Sequence, residues 1–287
     1  MKFVSKGLIF LVTLTMVALV AGCGASQGIR HEHVTTVNSA DASPIVYGVR
    51  GQGDITVVFI HCWTCNHEFW RPQIEAFSND YRVIWLDLAG HGLSGSNRTQ
   101  YTMEAFGKDV AAVVNATDAK KVVLVGHSMG GPVAIEAADV LGDKVIGIVG
   151  VDTFYTPFEA PKSEAAINEF VQPFRDDFKR ASEKLVRSMF VPTADPELVT
   201  SIVDQMSVVD PEMGASAIYE ILKWSARNKP SVLDSHSRKL HNINADPTGN
   251  SQPSHKNVTL IPGVGHFVAQ VKPQEFNEAL RRILLEF

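Results

Sequence analysis

The stretch Val122-Val123-Leu124-Val125-Gly126-His127-Ser128-Met129-Gly130-Gly131 decides how this chain folds. An apolar run rich in β-branched valine feeds a glycine, then His127 and Ser128, then Met129 and two glycines. From Pro132 to Leu141 the pattern turns helical. This is the strand–turn–helix setting in which a G-x-S-x-G serine becomes a nucleophile. The turn is so tight that the side chain at its tip must project. Gly126 and Gly130 leave room for backbone to pass where a Cβ would collide.

A serine hydroxyl is a weak nucleophile at neutral pH, so it needs a base within reach and a third group to orient that base. The expected chain order is serine, acid, histidine. Val258–Pro262 reads as a short strand, and Gly263-Val264-Gly265-His266-Phe267 follows it. His266, on a glycine-rich loop after the last strand, is the candidate base, since an imidazole changes charge near neutral pH. Asp246, in Ile243-Asn244-Ala245-Asp246-Pro247, is the first choice of acid. Asp152, which closes the stronger strand Val145–Val151, is the alternative. Both fall at the carboxyl edge of the expected sheet, where sites in open α/β sheets form. Two backbone N–H groups are needed for the oxyanion. Met129, after the nucleophile, supplies one. Trp63, in the loop His61-Cys62-Trp63 after the strand Thr56–Ile60, supplies the other. His236, His241 and His255 read as exposed surface residues.

The rest of the chain alternates strands (about Ile45–Val49, Ile55–Ile60, Arg82–Leu86, Lys121–Val125 and Val145–Val151) with helices (about Phe69–Phe77, Thr102–Thr117 and Gly131–Leu141). Alternation of this kind predicts an α/β fold, a mainly parallel sheet with helices on both faces. From Thr153 to Asn228 strand patterning stops. Helical stretches at Glu164–Phe170, Asp176–Met189, Pro196–Val208 and Glu212–Asn228 are broken by prolines, which reads as a helical cap. Phe154, Tyr155, Phe158, Phe170, Phe174, Met189, Phe190, Met206, Met213, Tyr219 and Trp224 make that cap apolar, some as its own core and the rest, with Trp63 and Phe267, expected to line a pocket for an apolar substrate of modest size. The core resumes with strands near Lys239–Asn244 and Val258–Pro262 and ends in an amphipathic helix, Pro273–Phe287. The expected organisation is a signal peptide at 1–22, a flexible tether at 23–43, core at 44–152, cap at 153–235 and core at 236–287.

These residues resemble the α/β-hydrolase superfamily, in its esterase, lactonase and perhydrolase-like branch. Gly126-His127-Ser128-Met129-Gly130-Gly131 is similar to its nucleophile elbow. Asp87-Leu88-Ala89-Gly90-His91-Gly92-Leu93-Ser94 is similar to its D-x-x-G-x-G-x-S loop, and Gly265-His266-Phe267 to its histidine loop. The resemblance covers most of the chain after about Ile45 and implies an α/β-hydrolase fold with the cap inserted after the sixth strand. It implies a cofactor-free, metal-free serine hydrolase acting on an ester-like bond of a small molecule through an acyl-enzyme. A lactonase, a carbon–carbon bond hydrolase and a non-catalytic binding protein on the same fold are the alternatives. Epoxide hydrolases and haloalkane dehalogenases carry an aspartate where Ser128 stands, whereas hydroxynitrile lyases keep a serine. Two positions depart from the family pattern. Cys62 stands where a glycine usually precedes the oxyanion residue, and the segment before Asp246-Pro247 lacks the usual glycine.

Lys2 and Lys6, the apolar stretch Gly7–Val20 and then Ala21-Gly22-Cys23 form a secretory signal. Val20-Ala21-Gly22-Cys23 resembles a bacterial lipobox, which implies lipidation of Cys23 and an exported cell-envelope lipoprotein anchored to a membrane. Cys62 and Cys65 then remain, as a small disulfide ring or as free buried thiols shaping the oxyanion loop. C-x-x-C is also the spacing of thioredoxin-like redox motifs. A zinc site of His61, Cys62, Cys65 and His67 is too compact to wrap a tetrahedron easily, and His31-Glu32-His33 reads as solvated tether. The net charge of −5 gives no footprint for nucleic acid.

Overall fold

The computed structural model describes residues 34–287, apart from the side chains of residues 228–231. The signal peptide, Cys23 and the His31-Glu32-His33 cluster lie outside the described residues. Among the described residues no helix is long and apolar enough to cross a membrane.

Eight strands form one sheet: β1 (Val34–Asn38), β2 (Pro44–Arg50), β3 (Ile55–Ile60), β4 (Arg82–Leu86), β5 (Lys121–His127), β6 (Val145–Val151), β7 (Leu240–Asp246) and β8 (Val258–Pro262). Their spatial order is β1-β2-β4-β3-β5-β6-β7-β8. β1 and β2 run antiparallel to their neighbours, and every pairing from β4 through β8 is parallel.

Side chains alternate across a strand, so β5 feeds two cores. Val122 and Leu124 pack on one face with Phe106 and Val110 of α2 (Met103–Ala116) and Val133 of α3 (Gly130–Leu141). Val123 and Val125 pack on the other face with Phe77 of α1 (Arg71–Phe77) and Phe276 and Leu280 of α9 (Pro273–Leu284). Burial on both faces explains why the strand reads as an unbroken apolar run.

Four helices, α4 (Glu164–Asp176), α5 (Phe178–Ser188), α6 (Pro196–Ser207) and α7 (Pro211–His236), connect β6 to β7 and form the cap. A short helix α8 (Val268–Val271) follows the histidine loop. Several boundaries differ from the sequence reading, and α7 continues to His236 rather than ending near Asn228. α4 runs through Pro173 to Asp176 instead of stopping before the proline, which leaves the Glu169 carbonyl without its helical N–H partner. The expected tether is not free of structure, because Val34–Asn38 is an edge strand paired from Val34↔Gly48 to Asn38↔Pro44. Its side chains are mostly exposed, so it carries no apolar alternation to read. The following turn is pinned to the core. Ser39 donates to the buried Asp109 on α2, and Arg98 bridges Asp109 and Asp41.

Candidate active site

The carboxyl ends of β3, β5 and β6 meet where three non-glycine residues adopt left-handed backbone. Thr64 has φ 56°, Ser128 53° and Asp152 45°. Such angles cost energy for residues with a Cβ and persist where the surroundings impose them. At Ser128 the imposing feature is the elbow. Its N–H donates to Val151 O at 2.9 Å and its carbonyl accepts from Gly131 N–H at 3.0 Å. A Cβ on Gly126 would lie 2.0 Å from Gly130 O, and one on Gly130 would lie 2.5 Å from Ile60 O. Only glycine at both positions lets the elbow pack this tightly against itself and against β3.

His266 is held at three points by three different elements. Its Nδ1–H donates to Asp152 Oδ2 at 2.7 Å. Its backbone N–H donates to Met189 O, just past α5 of the cap, at 2.9 Å. Its carbonyl accepts from His127 Nε2–H at 2.9 Å. Because the other ring nitrogen faces the carboxylate, Nε2 is left to act as the base.

The structure does not bring the expected aspartate to His266. Asp246, the first choice, is turned into the β7–β8 connection. Its carboxylate accepts from Thr248 Oγ1 at 3.0 Å, Ser251 Oγ at 2.7 Å and Ser251 N–H at 3.1 Å. Its carbonyl accepts from Gly249 and Gly263 N–H. The hydrogen bonds from Ser251 hold its carboxyl below the usual range. Asp152, the alternative, stands against His266 instead. Its second oxygen accepts from Ala245 N–H at 2.9 Å. Burial pushes the Asp152 carboxyl up, but the hydrogen bond and charge of His266 outweigh it, and the net shift is downward.

Two further histidines surround the site as neutral groups. Burial, with His266 beside it, pulls His127 down to about 3. His61 is fully buried and also pulled down by desolvation. Leu88 N–H donates to its Nε2 at 3.0 Å, so Nδ1 carries the proton and donates to Cys62 O at 2.8 Å. The Asp87 loop braces the same region from behind, where its carboxylate accepts from the His67 and Leu93 N–H groups. Cys62 and Cys65 are joined by a disulfide, with Cα atoms 5.2 Å apart. The Trp63 indole N–H donates to Gly214 O on α7 at 2.8 Å, and its ring stands edge-on to Phe174.

Ser128, Asp152 and His266 line one cavity of about 500 Å³, together with Cys62 and Trp63. The cap closes it with Phe154, Phe158, Phe170, Met206, Leu222 and Trp224, and among the described residues neither lysine nor arginine lines it. Met129, the other expected oxyanion donor, is fully buried and caps α3 immediately after Ser128. The sequence reading missed His127 and Met189 as supports of His266. A carbonyl contact leaves no residue-type signal, and His127 occupies the variable position of the motif.

Comparison with known proteins agrees with this architecture. The family model for the alpha/beta hydrolase fold matches residues 55–197. A non-heme chloroperoxidase from Streptomyces lividans is 40% identical over 98 residues, 33% of this chain and 36% of that protein. A 2-(acetamidomethylene)succinate hydrolase from Mesorhizobium japonicum is 30% identical over 47% of this chain and 50% of its own length. The chain thus spans about half or less of these two relatives. Among solved structures, a thermophilic esterase from Thermogutta terrifontis superposes with a TM-score of 0.73 at 21% identity, covering 88% of this chain and 98% of that one. At that identity the likeness speaks for the fold.

Proposed function

We propose that this chain, a member of the α/β-hydrolase superfamily, is a serine hydrolase that cleaves an uncharged, apolar ester through Ser128, His266 and Asp152. The observation that carries this reading is the 2.7 Å bond from His266 Nδ1 to Asp152, beside a serine held at φ 53° in the same cavity.

In this reading His266 Nε2 takes the Ser128 proton as Oγ bonds to the ester carbonyl carbon. Asp152 fixes the tautomer and stabilises the imidazolium that forms. The Trp63 and Met129 N–H groups hold the tetrahedral oxyanion, each worth on the order of 3 kcal/mol to the transition state. Collapse expels the alkoxide, which takes its proton from His266. Water then repeats the sequence on the acyl-enzyme, and no cofactor is called upon. An uncharged substrate follows from the lining. A carboxylate in this cavity would face apolar side chains and Asp152, with no cation among the described lining residues to offset its desolvation. Lactones and other activated carbonyls would react by the same steps, so they belong in the assay panel.

We further propose export and lipid anchoring at Cys23, and the Cys62–Cys65 bridge suits an oxidising compartment. Palmitate labelling that persists in Cys23→Ser would sink the anchor.

The deciding experiment is hydrolysis of nitrophenyl esters of graded acyl length by the native protein and by Ser128→Ala, with fluorophosphonate labelling alongside. Turnover and labelling that both vanish in the variant are expected. Turnover that survives Ser128→Ala would refute the serine mechanism.

A further inference from the structure

The family pattern places a glycine before the oxyanion residue, and here that position is Cys62, bridged to Cys65. The carbonyl of Cys62 accepts two hydrogen bonds, from His61 Nδ1–H at 2.8 Å and from Cys65 N–H at 3.2 Å. Cys62 C=O and Trp63 N–H belong to one peptide unit. No described peptide bond is cis, and in a planar trans unit the carbonyl and the N–H point in opposite directions. Whatever grips the carbonyl therefore aims the N–H.

The grip is rigid. His61 is fully buried, with its other nitrogen occupied by Leu88 N–H. The disulfide closes a ring around Trp63 and Thr64, and Thr64 sits at φ 56° inside it, an angle that a β-branched residue rarely adopts unaided. Cys62 and Cys65 are both buried, and Cys62 and Trp63 line the cavity with Ser128. A bridge across a separation of three residues constrains very little of the unfolded chain, so global stability is not what it chiefly provides.

We propose that the Cys62–Cys65 disulfide is a positioning device for the oxyanion hole, fixing the Trp63 N–H on the developing charge in place of the family's glycine turn. This rests on the serine-hydrolase reading above. Opening the bridge takes two electrons and two protons from a dithiol, which leaves as its cyclic disulfide and yields two thiols. The Cys62–Thr64 backbone would then relax and the Trp63 donor would drift. The loss would fall on turnover, because an oxyanion donor acts on the transition state and scarcely on the bound ester.

The test compares the full chain with Cys62→Ser/Cys65→Ser, using the best nitrophenyl ester and a trifluoromethyl ketone whose serine adduct carries an oxyanion. The expected result is a kcat about 10- to 100-fold lower, KM within about threefold, and inhibition by the ketone weakened by the same factor as kcat/KM. A thermal midpoint close to that of the native protein should accompany it. A folded variant that keeps kcat within about twofold overturns the proposal, as does a loss that spares ketone affinity. If the variant does not fold, native protein is titrated with dithiothreitol and its free thiols are counted by mass. Activity should then fall with the fraction reduced and return on reoxidation, and activity independent of that fraction overturns the proposal. Ester turnover by the native protein that does not depend on Ser128 would instead bring down the serine mechanism, and this inference with it.

Discussion

His266 N–H donates to Met189 O at 2.9 Å, so the candidate base is tied directly to the cap that covers it. Gly265 makes the approach possible, since a Cβ there would lie 2.1 Å from the same carbonyl oxygen. Gly265→Ala should push the histidine loop away from the cap and misplace Nε2. A displacement on the order of 1 Å costs about 100-fold in rate. Single-turnover acylation should slow by that order while the intrinsic tryptophan fluorescence stays native-like; an unaltered acylation rate would show that the loop tolerates the shift.

Asp152 and Asp246 give opposite expectations. Asp152→Asn keeps the shape but offers His266 the wrong partner, and kcat should drop by roughly 10⁴-fold. Asp246→Asn removes a carboxylate that organises the turn after β7. It should lower the urea midpoint while leaving kcat within a few fold. Steady-state kinetics on the two variants side by side decides between the aspartates, and the reverse pattern would restore Asp246 as the acid.

Acid should destabilise the fold well before the carboxylates titrate. His127 and His91 are both pulled down to about 3 by burial, against an ordinary value of 6.5. Between pH 6.5 and 3 the unfolded chain therefore binds protons that the folded chain refuses. The stability these groups contribute is complete above pH 6.5 and is lost as pH falls through that window, at up to ~1.4 kcal/mol per pH unit for each group. Urea unfolding at pH 7.5, 6 and 5 should show a falling midpoint. His127→Gln should flatten the slope, and equal slopes would mean that His127 protonates in the folded state.

Trp224 forms part of the cavity wall, and its indole N–H donates to Glu136 on α3 at 2.6 Å. Burial raises the Glu136 carboxyl, and the indole bond partly offsets that. Trp224→Ala should enlarge the pocket and shift the preferred acyl chain upward by several carbons. The ratio of kcat/KM for decanoate to butyrate nitrophenyl esters reads this directly, and a constant ratio would assign the acyl group to another part of the cavity.

The Arg98–Asp109 pair ties the edge of the sheet to α2, and Asp109 is fully buried. Arg98→Ala leaves that carboxylate buried with only the Ser39 hydroxyl and the Ala89 N–H and no cation, a loss of about 3–5 kcal/mol for a buried pair broken on one side. Denaturant titration should show it, whereas Asp109→Asn, which removes the charge as well, should cost less.

Much of this was legible in the sequence because the sheet is buried on both faces. β5, with its glycine-bounded serine, could be recognised by its apolar run, and Gly265-His266 by position after the last strand. β1 was not legible, because an exposed edge strand needs no apolar face. Which aspartate meets His266 was not legible, for a local reason. Asp246-Pro247 sits at a strand end just as Asp152 does, and sequence cannot show that Thr248 and Ser251 occupy one carboxylate while Ala245 N–H turns the other toward His266. Nor could it show the φ of 45° at Asp152, since aspartate tolerates that conformation without announcing it.

The place of Asp152 at the tip of β6 has an evolutionary consequence. Ser128 and Asp152, the proposed nucleophile and acid, follow the ends of adjacent strands, and both are translated before the cap. His266 must find its register across the insertion, and among the described residues the Met189 carbonyl is the cap group that holds it through a backbone bond. Residues between Asp152 and β7 can therefore vary without moving Ser128 or Asp152 along the chain, provided the carbonyls of Met189 and Gly214 are still presented to His266 and Trp63. A lineage built this way can explore new substrates through the cap while its reacting groups stay in step.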